Sequence, residues 1–312
     1  MKVCVSVDLD NYQEYRRLVG SGAAEPERSF YDDALPRFLD AFDRHGLRAT
    51  FFAIGRDAAS PSHAKRLREA HARGHEIGNH SWSHPHNLRS FSRAAKEAEI
   101  AQGEEALADA VGVRPVGFRT PSVDVDAEVL EILASRGYLY DSSIIPSPLM
   151  WAFMLYGRLF VRESDYALGL LRTPLAPARP YWPATHAIHR RRSDAEIARG
   201  ALLEIPVSVT PWLRLPYYGT LWRLLGPGAF AFALRGHAPA RGAAHLMLHL
   251  LDLVDWHGTG LGDALERTPG VGVSFARRQR FVDGACEALV ARGKPATLRD
   301  VALECRAASG LA

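Results

Sequence analysis

Along the first half of the chain, short apolar runs rich in β-branched and aromatic residues alternate with segments whose apolar positions recur every three to four residues. Val3 to Val7, Thr50 to Ile54, His75 to Asn79, Val116 to Phe118 and Tyr138 to Tyr140 are predicted strands. Between them, Leu35, Phe38, Leu39 and Phe42 share one face of a helix starting near Ala34 and stopped by Gly46. Ser60 and Pro61 open a helix ending near Gly74, Ser92 to Val111 is closed by Gly112, and Asp126 to Ser135 by Gly137. Such alternation predicts helices packed outside a parallel sheet or barrel. Leu202 to Ser208 and Leu246 to Leu250 bring the strands to about seven, and helices over Ser274 to Val290 and Leu298 to Cys305 complete the pattern. The expected fold class is α/β, a distorted (β/α)7-type barrel forming a single domain over 1–312. Two stretches break the rhythm, 146–192 and 211–241, and their aromatic, Leu, Arg and Pro content marks them as insertions on the barrel.

Composition narrows the class. With 47 % apolar and 23 % charged residues among 312, the chain is an ordinary globular one, which excludes disorder, collagen and coiled coil. Lys and Arg total 38 against 35 acidic residues, and the clusters Arg190 to Arg192 and Arg277-Arg278 lack a reading motif, so nucleic acid is not an expected partner. Cys4, Cys286 and Cys305 are odd in number, widely separated and without a CxxC pair, as expected of reduced thiols rather than a disulfide framework or a thiolate zinc site. The opening MKVCVSVDLDNY lacks the basic start and apolar stretch of a signal peptide, and no run of 18 apolar residues follows, so the expected location is the cytoplasm.

In a parallel barrel the chemistry belongs at the C-terminal ends of the strands. Those ends carry Asp8-Leu9-Asp10, then Asn79 to His86, then Arg119-Thr120-Pro121, then Asp141, and finally His249. A carboxylate with two imidazoles suits zinc or another first-row divalent ion, cobalt, nickel and manganese included. His80 and His84 have the spacing of one helical turn, which would aim both rings at one point. His71 and His75 share that spacing, but Gly74 should separate them. His86 is a nearby alternative ligand behind Pro85, whereas His186, His189 and His257 read as loop or surface residues.

Taken in order, these motifs resemble those of the polysaccharide deacetylase family, the NodB-like carbohydrate esterases of family four. Asp8 and Asp10 match the family's first motif, and His80, Ser81 and His84 match its His-(Ser/Thr)-x-x-His. Arg119 and Pro121 match the third motif, and His249 matches the late histidine. The family's adjacent aspartates are here parted by Leu9, a form similar to the branch of peptidoglycan-deacetylase-like amidohydrolases and lipid-linked aminoarabinose deformylases. Where the third motif commonly has an aromatic, this chain has Ser122, and the fourth motif leaves Asp141, Glu204 and Asp252 as candidates to orient His249.

The resemblance implies a NodB-type barrel and metal-dependent hydrolysis of an N-acyl group, N-acetyl first, from an amino sugar of a glycan or lipid-linked glycoconjugate. It implies Asp10, His80 and His84 as metal ligands, Asp8 as general base, Arg119 as its orienting partner and protonated His249 as general acid, with a backbone N–H near Ser122 assisting the oxyanion. An amidohydrolase or deformylase for a non-sugar amide and a catalytically silent glycan-binding barrel are the alternatives. The apolar, Arg-flanked stretches Pro148 to Arg162 and Leu221 to Arg235 read either as helices covering the barrel or as segments in peripheral contact with the inner face of the membrane. Oligomeric state is not encoded in any of these patterns.

Overall fold

The computed structural model describes residues 1–18, 29–160, 169–193, 197, 201–256, 261–262, 265 and 272–311. Within them lie β1 (Lys2–Asp8), β2 (Thr50–Ala53), β3 (Glu76–Asn79), β4 (Gly117–Phe118), β5 (Tyr140–Asp141), β6 (Pro183–Ala184), β7 (Ala187–Arg191), β8 (Leu203–Glu204), β9 (Ala244–His249) and β10 (Lys294–Pro295). Seven strands run parallel in the order β9-β1-β2-β3-β4-β5-β8, while β10 pairs with Lys2 and Val3 at the start of β1. Among the described residues the wall between β8 and β9 is closed by isolated contacts, among them the Ser208 N–H donating to the His245 carbonyl at 3.2 Å, the His245 N–H donating to the Ser208 hydroxyl at 2.9 Å and a bridge of Tyr218 with Met247. This is the expected distorted (β/α)7 barrel. β6 and β7 form a separate antiparallel hairpin.

The period of two along β1 explains how the sheet separates core from site. Val3, Val5 and Val7 pack beneath the helix layer with Leu35, Phe38, Leu39 and Phe42 of helix Phe30–His45. Cys4, on the other face, joins Phe52, Tyr140 and Leu203 in the barrel floor. The interior thus begins apolar and becomes polar toward Ser6 and Asp8.

Helix boundaries follow their capping residues. Ser29 accepts the Asp32 N–H, so the first long helix starts at Phe30, before the predicted Ala34, and Gly46 ends it at φ 63°. Ser92 caps Arg93–Val111 and Asp126 caps Ala127–Ser135. The fifth strand is displaced from the predicted Tyr138 to Tyr140, because the Tyr138 N–H is spent on Leu133 and closes the preceding helix. Leu202 to Ser208 contracts to β8, since Pro206 has no N–H to continue the ladder. Short helices Tyr12–Leu18 and Gly55–Ala58, the β6–β7 hairpin and β10 had no strong periodic signal. The first irregular stretch contains helix Leu149–Phe160 and the hairpin, and the second contains helices Gly219–Leu225 and Pro227–Arg235. Among the described residues no helix is long and apolar enough to cross a membrane.

Candidate active site

Register assembles the site. Asp8 and His249, the last residues of β1 and β9, are direct partners in the parallel ladder. Asn79 pairs with Phe118, which sets His80 beside Arg119 just beyond the ends of β3 and β4. Asp8, Asp10, His80, His84 and Arg119 are all buried, and His249 keeps partial access to the cleft.

His80 and His84 do not occupy one helical turn, contrary to the expectation from their spacing. The segment after β3 is a loop in which Ser81 and His84 adopt φ of 63° and 56°, and this kink, not a helix, turns both rings toward Asp10. Such conformations cost about 1–3 kcal/mol each unless the surroundings enforce them. The surroundings do so. The Ser81 carbonyl accepts from Gly55, the Trp82 carbonyl from Arg56, and the Ser83 N–H donates to Glu99 at 2.9 Å. The Ser81 hydroxyl accepts the His84 N–H at 3.1 Å. Helix Arg93–Val111 presses against the loop through Gly103, where a Cβ would stand 2.6 Å from Asn79 Oδ1 and 2.9 Å from the Ser81 carbonyl carbon.

His80 Nε2 lies 3.5 Å and His84 Nε2 3.3 Å from Asp10 Oδ1. One donor atom from each of the three falls within 4.8 Å of the others. Asp10 Oδ1 is buried with no hydrogen-bond partner among the described residues, an expensive state for a carboxylate oxygen unless a cation shares it. His80 Nδ1 donates to the Arg119 carbonyl at 2.7 Å, which leaves Nε2 as the lone-pair nitrogen facing Asp10. Burial alone would raise the Asp10 carboxyl, but the facing His84 and His80 imidazoles hold it well below the usual carboxylate range. Burial opposes charge on His80 as well, and Asp10 and Asp8 more than offset it, raising the ring above its ordinary value. The donor set therefore fits a divalent metal ion.

Arg119 organises the other half. Its Nη1 reaches Asp8 Oδ1 at 2.6 Å and Ser6 Oγ at 2.9 Å, while Nε and Nη2 reach the Ser142 carbonyl and hydroxyl at 2.7 and 3.0 Å. Its guanidinium carbon stands 4.3 Å from the centre of the Phe52 ring. A charge buried this deeply is tolerated because nearly every donor has an acceptor. Ser6 also meets His245 Nε2 at 2.8 Å, and His245 Nδ1 meets the Pro206 carbonyl at 3.2 Å. Burial, with Arg119 nearby, pushes the His245 ring down to about 3, so it is neutral. Ser6 and His245 escaped sequence reasoning, although strand alternation places Ser6 on the face of Asp8 and His245 on that of His249.

His249 Nε2 stands 3.8 Å from Asp8 Oδ2 and 3.9 Å from Asp10 Oδ2, and the Tyr218 ring packs edge-on at 5.3 Å. Of its three candidate partners only Asp252 meets it. Asp252 Oδ2 accepts the His249 backbone N–H at 2.8 Å, and the His249 ring accepts the Asp252 N–H. A ring nitrogen accepting there turns Nε2 toward the cleft. Asp252 is itself fixed by buried Arg223 at 2.5 Å. Asp141 and Glu204 pair instead with each other. Burial raises both, and the neighbouring Asp141 pushes Glu204 further above its usual range. Asp141 accepts from Ser143, whose hydroxyl receives the Thr120 N–H, so the pair braces the loop after β4.

His86 is not a third imidazole of the cluster: its Nδ1 meets Ser122 Oγ at 2.6 Å. Ser122 and Val123 follow at φ of 54° and 52°, a turn that leaves the Ser122 N–H without a backbone partner among the described residues. His75 is buried under Phe42 and Phe51 and accepts the Ala49 N–H at 3.0 Å. His189 lies on β7, His186 is exposed in the hairpin turn, and His257 lies outside the described residues.

Residues 28–140 match the polysaccharide deacetylase family. The matched segment holds His80, His84 and Arg119, and β9 brings His249 to it from outside. Over 105 residues it is 37 % identical to a peptidoglycan-N-acetylglucosamine deacetylase of Bacillus cereus, covering 33 % of this chain and 37 % of that protein. Over 115 residues it is 32 % identical to a chitin deacetylase of Colletotrichum lindemuthianum, covering 35 % and 46 %. The chain spans less than half the length of each of these relatives. A Mycobacterium smegmatis crystal structure assigned to the polysaccharide deacetylases superposes with a TM-score of 0.56 at 20 % identity, over 98 % of this chain and 91 % of that one, which shows a shared fold.

Proposed function

We propose that the protein is a metal-dependent N-deacetylase that hydrolyses the acyl amide, N-acetyl first, of an amino sugar. The observation that carries this reading is the convergence of Asp10, His80 and His84 on one point, beside an Arg119-held Asp8 and a His249 whose Nε2 faces the same cleft. The named activities of the relatives, on peptidoglycan N-acetylglucosamine and on chitin, support the amino sugar.

Asp10, His80 and His84 would hold the ion, with zinc the best fit to one carboxylate and two imidazoles and cobalt, nickel or manganese as substitutes. A divalent cation there would supply Lewis-acid polarisation of the acyl oxygen and make water nucleophilic near neutral pH. Asp8 acts on that water. Its Oδ1 is engaged by Arg119, leaving Oδ2, the oxygen toward His249, to accept the proton as the water oxygen bonds to the acyl carbon. His249, protonated, donates its Nε2 proton to the sugar nitrogen as the carbon–nitrogen bond breaks, the proton taken by Asp8 replaces it, and the products are the free amine and a carboxylate. A backbone N–H near Ser122 would donate to the developing oxyanion.

The test pairs metal content with turnover. Wild type and His80→Ala are prepared under identical metal-replete conditions and assayed for acetate release from N-acetylglucosamine oligomers. Near-stoichiometric metal and acetate release in the wild type, both lost in the variant, are expected. Failure of the wild type to take up added zinc, cobalt or nickel would overturn the reading.

A further inference from the structure

Residues 142–251 contain 12 Arg, no Lys and five acidic residues, an excess of seven positive charges in a chain whose total is +3. The remainder of the chain is therefore net negative. The same segment holds nine of the eleven large apolar side chains exposed among the described residues; Val113 and Leu303 are the other two. Six of the nine are joined in one rim. Trp151 Nε1 donates to the Leu171 carbonyl at 2.9 Å, tying helix Leu149–Phe160 to the turn Thr173–Leu175. Arg214 donates to the Pro146 carbonyl at 2.7 Å and to the Ala176 carbonyl at 2.5 Å, tying the 211–214 tip to both.

The tip is built to protrude. The Thr210 N–H donates to the Leu215 carbonyl and Val209 bridges Pro216, so Pro211 to Arg214 form a closed turn. Trp212 at its apex is 94 % exposed and Leu213 72 %, beside Leu171 at 73 % and Leu155 at 59 %. Arg172, Arg179 and Arg190 are exposed and have no carboxylate within ion-pair distance among the described residues. Burial lowers the His189 ring and the Arg214 guanidinium, and the nearby Arg190 and Arg172 add to the first and Arg241 to the second. The rim also adjoins the cleft. Met150, on the inner side of helix Leu149–Phe160, packs with Val123, Met247 and Tyr218, and Tyr218 touches His249.

We propose that this rim docks on a lipid bilayer with anionic headgroups, Trp212, Leu213, Leu171 and Leu155 entering the interface while Arg172, Arg179 and Arg190 meet the headgroups. Charge complementarity commits the surface to anionic lipid: an exposed apolar rim flanked by Arg172, Arg179 and Arg190, with no carboxylate in ion-pair distance of them among the described residues, matches the interfacial pattern of apolar body and cationic flank. The proposal deepens the deacetylase reading, and rests on it only for the consequence that the acyl amide is presented at a membrane, as a lipid-linked amino sugar would be.

The experiment floats the intact protein with phosphatidylcholine vesicles and with vesicles also containing phosphatidylglycerol, at low and high salt. Wild type is expected to float with the anionic vesicles at low salt and to bind about ten-fold less to phosphatidylcholine alone. The double variant Trp212→Ala/Leu213→Ala, checked for native circular dichroism, should lose about ten-fold in bound fraction on the anionic vesicles. No flotation with anionic vesicles, or equal flotation of the double variant, would overturn the proposal. So would concentration-dependent dimerisation abolished by the double variant without vesicle binding, since a second copy would then be the occupant. His80→Ala should float like wild type, so a failure of the deacetylase reading and a failure of the lipid reading give different results.

Discussion

The cleft and the rim of 142–251 lie against each other across Met150 and Tyr218, and they are built on opposite rules. In the cleft, charged groups are buried and nearly every one is held by a partner: Arg119 by Asp8, Ser6 and Ser142, Asp252 by Arg223, His80 by a carbonyl. On the rim, apolar groups are exposed, and Arg172, Arg179 and Arg190 have no carboxylate within ion-pair distance among the described residues. Burying charge is costly unless geometry satisfies it, and exposing Trp and Leu gains nothing in a monomer. Each region therefore departs from the ordinary arrangement in a direction that stability does not explain. In the cleft the departure yields reactive geometry, and on the rim it yields a surface suited to a second phase.

The largest expected effect separates holding a metal from using it. Asp8→Asn retains the Asp10, His80 and His84 donors and should keep its metal, while kcat falls by about 10²–10⁴ because the proton acceptor is gone. Metal analysis beside steady-state kinetics checks this. Unchanged turnover would remove Asp8 as general base.

A second break concerns the loop rather than its ligands. Gly103→Ala places a methyl within 2.6 Å of Asn79 Oδ1 and against the Ser81 backbone. The helix must move, at a cost of about 1–3 kcal/mol, and the His80–His84 kink must move with it. Lower thermal stability together with weaker zinc affinity is the expected result, read by calorimetry and competitive metal titration. An equivalent Ala substitution at exposed Gly228, where a Cβ meets nothing within 4 Å, should leave the metal affinity unchanged.

Legibility in the sequence follows the same divide. Asp8, His80, Arg119 and His249 were readable because strand ends are local signals and barrel topology carries them to one face. The way His80 and His84 converge was not, since their left-handed kink is imposed by Gly55, Glu99 and Gly103, the last two on a helix later in the chain. Choosing among Asp141, Glu204 and Asp252 needed register: β5 pairs with β8, which joins the first two to each other and leaves Asp252 to His249. The irregular closure between β8 and β9 was invisible for a related reason, because single bridges have no periodicity. The rim was legible as composition but not as a surface, since exposure depends on what the fold fails to cover.

A smaller effect tests burial without chemistry. Burial pushes His75 down to about 4, against an ordinary value near 6.5. The folded state thus binds fewer protons there than the unfolded one, so the stability His75 contributes is complete above about 6.5 and is lost as the pH falls toward about 4. His75→Gln has no such titration. The stability gap between wild type and His75→Gln, measured by urea denaturation, should narrow as the pH falls through that window, and a constant gap would show that His75 is hydrated in the folded protein.

The smallest expected effect is on the rim, and its smallness is the informative part. Trp212 and Leu213 contact solvent over most of their surface, so removing them costs little packing; Trp212→Ala/Leu213→Ala should shift stability by no more than about 0.5 kcal/mol. Acetate release from a soluble oligomer should also be unchanged, because Arg214, which ties the tip to the Pro146 and Ala176 carbonyls, is retained in the variant. An amide presented in an anionic vesicle should instead be hydrolysed more slowly by the variant than by wild type. Equal losses on soluble and vesicle-borne substrate would mean that the tip supports the cleft itself. A loss confined to the vesicle would mean that the exposed apolar surface acts by bringing the cleft to its substrate.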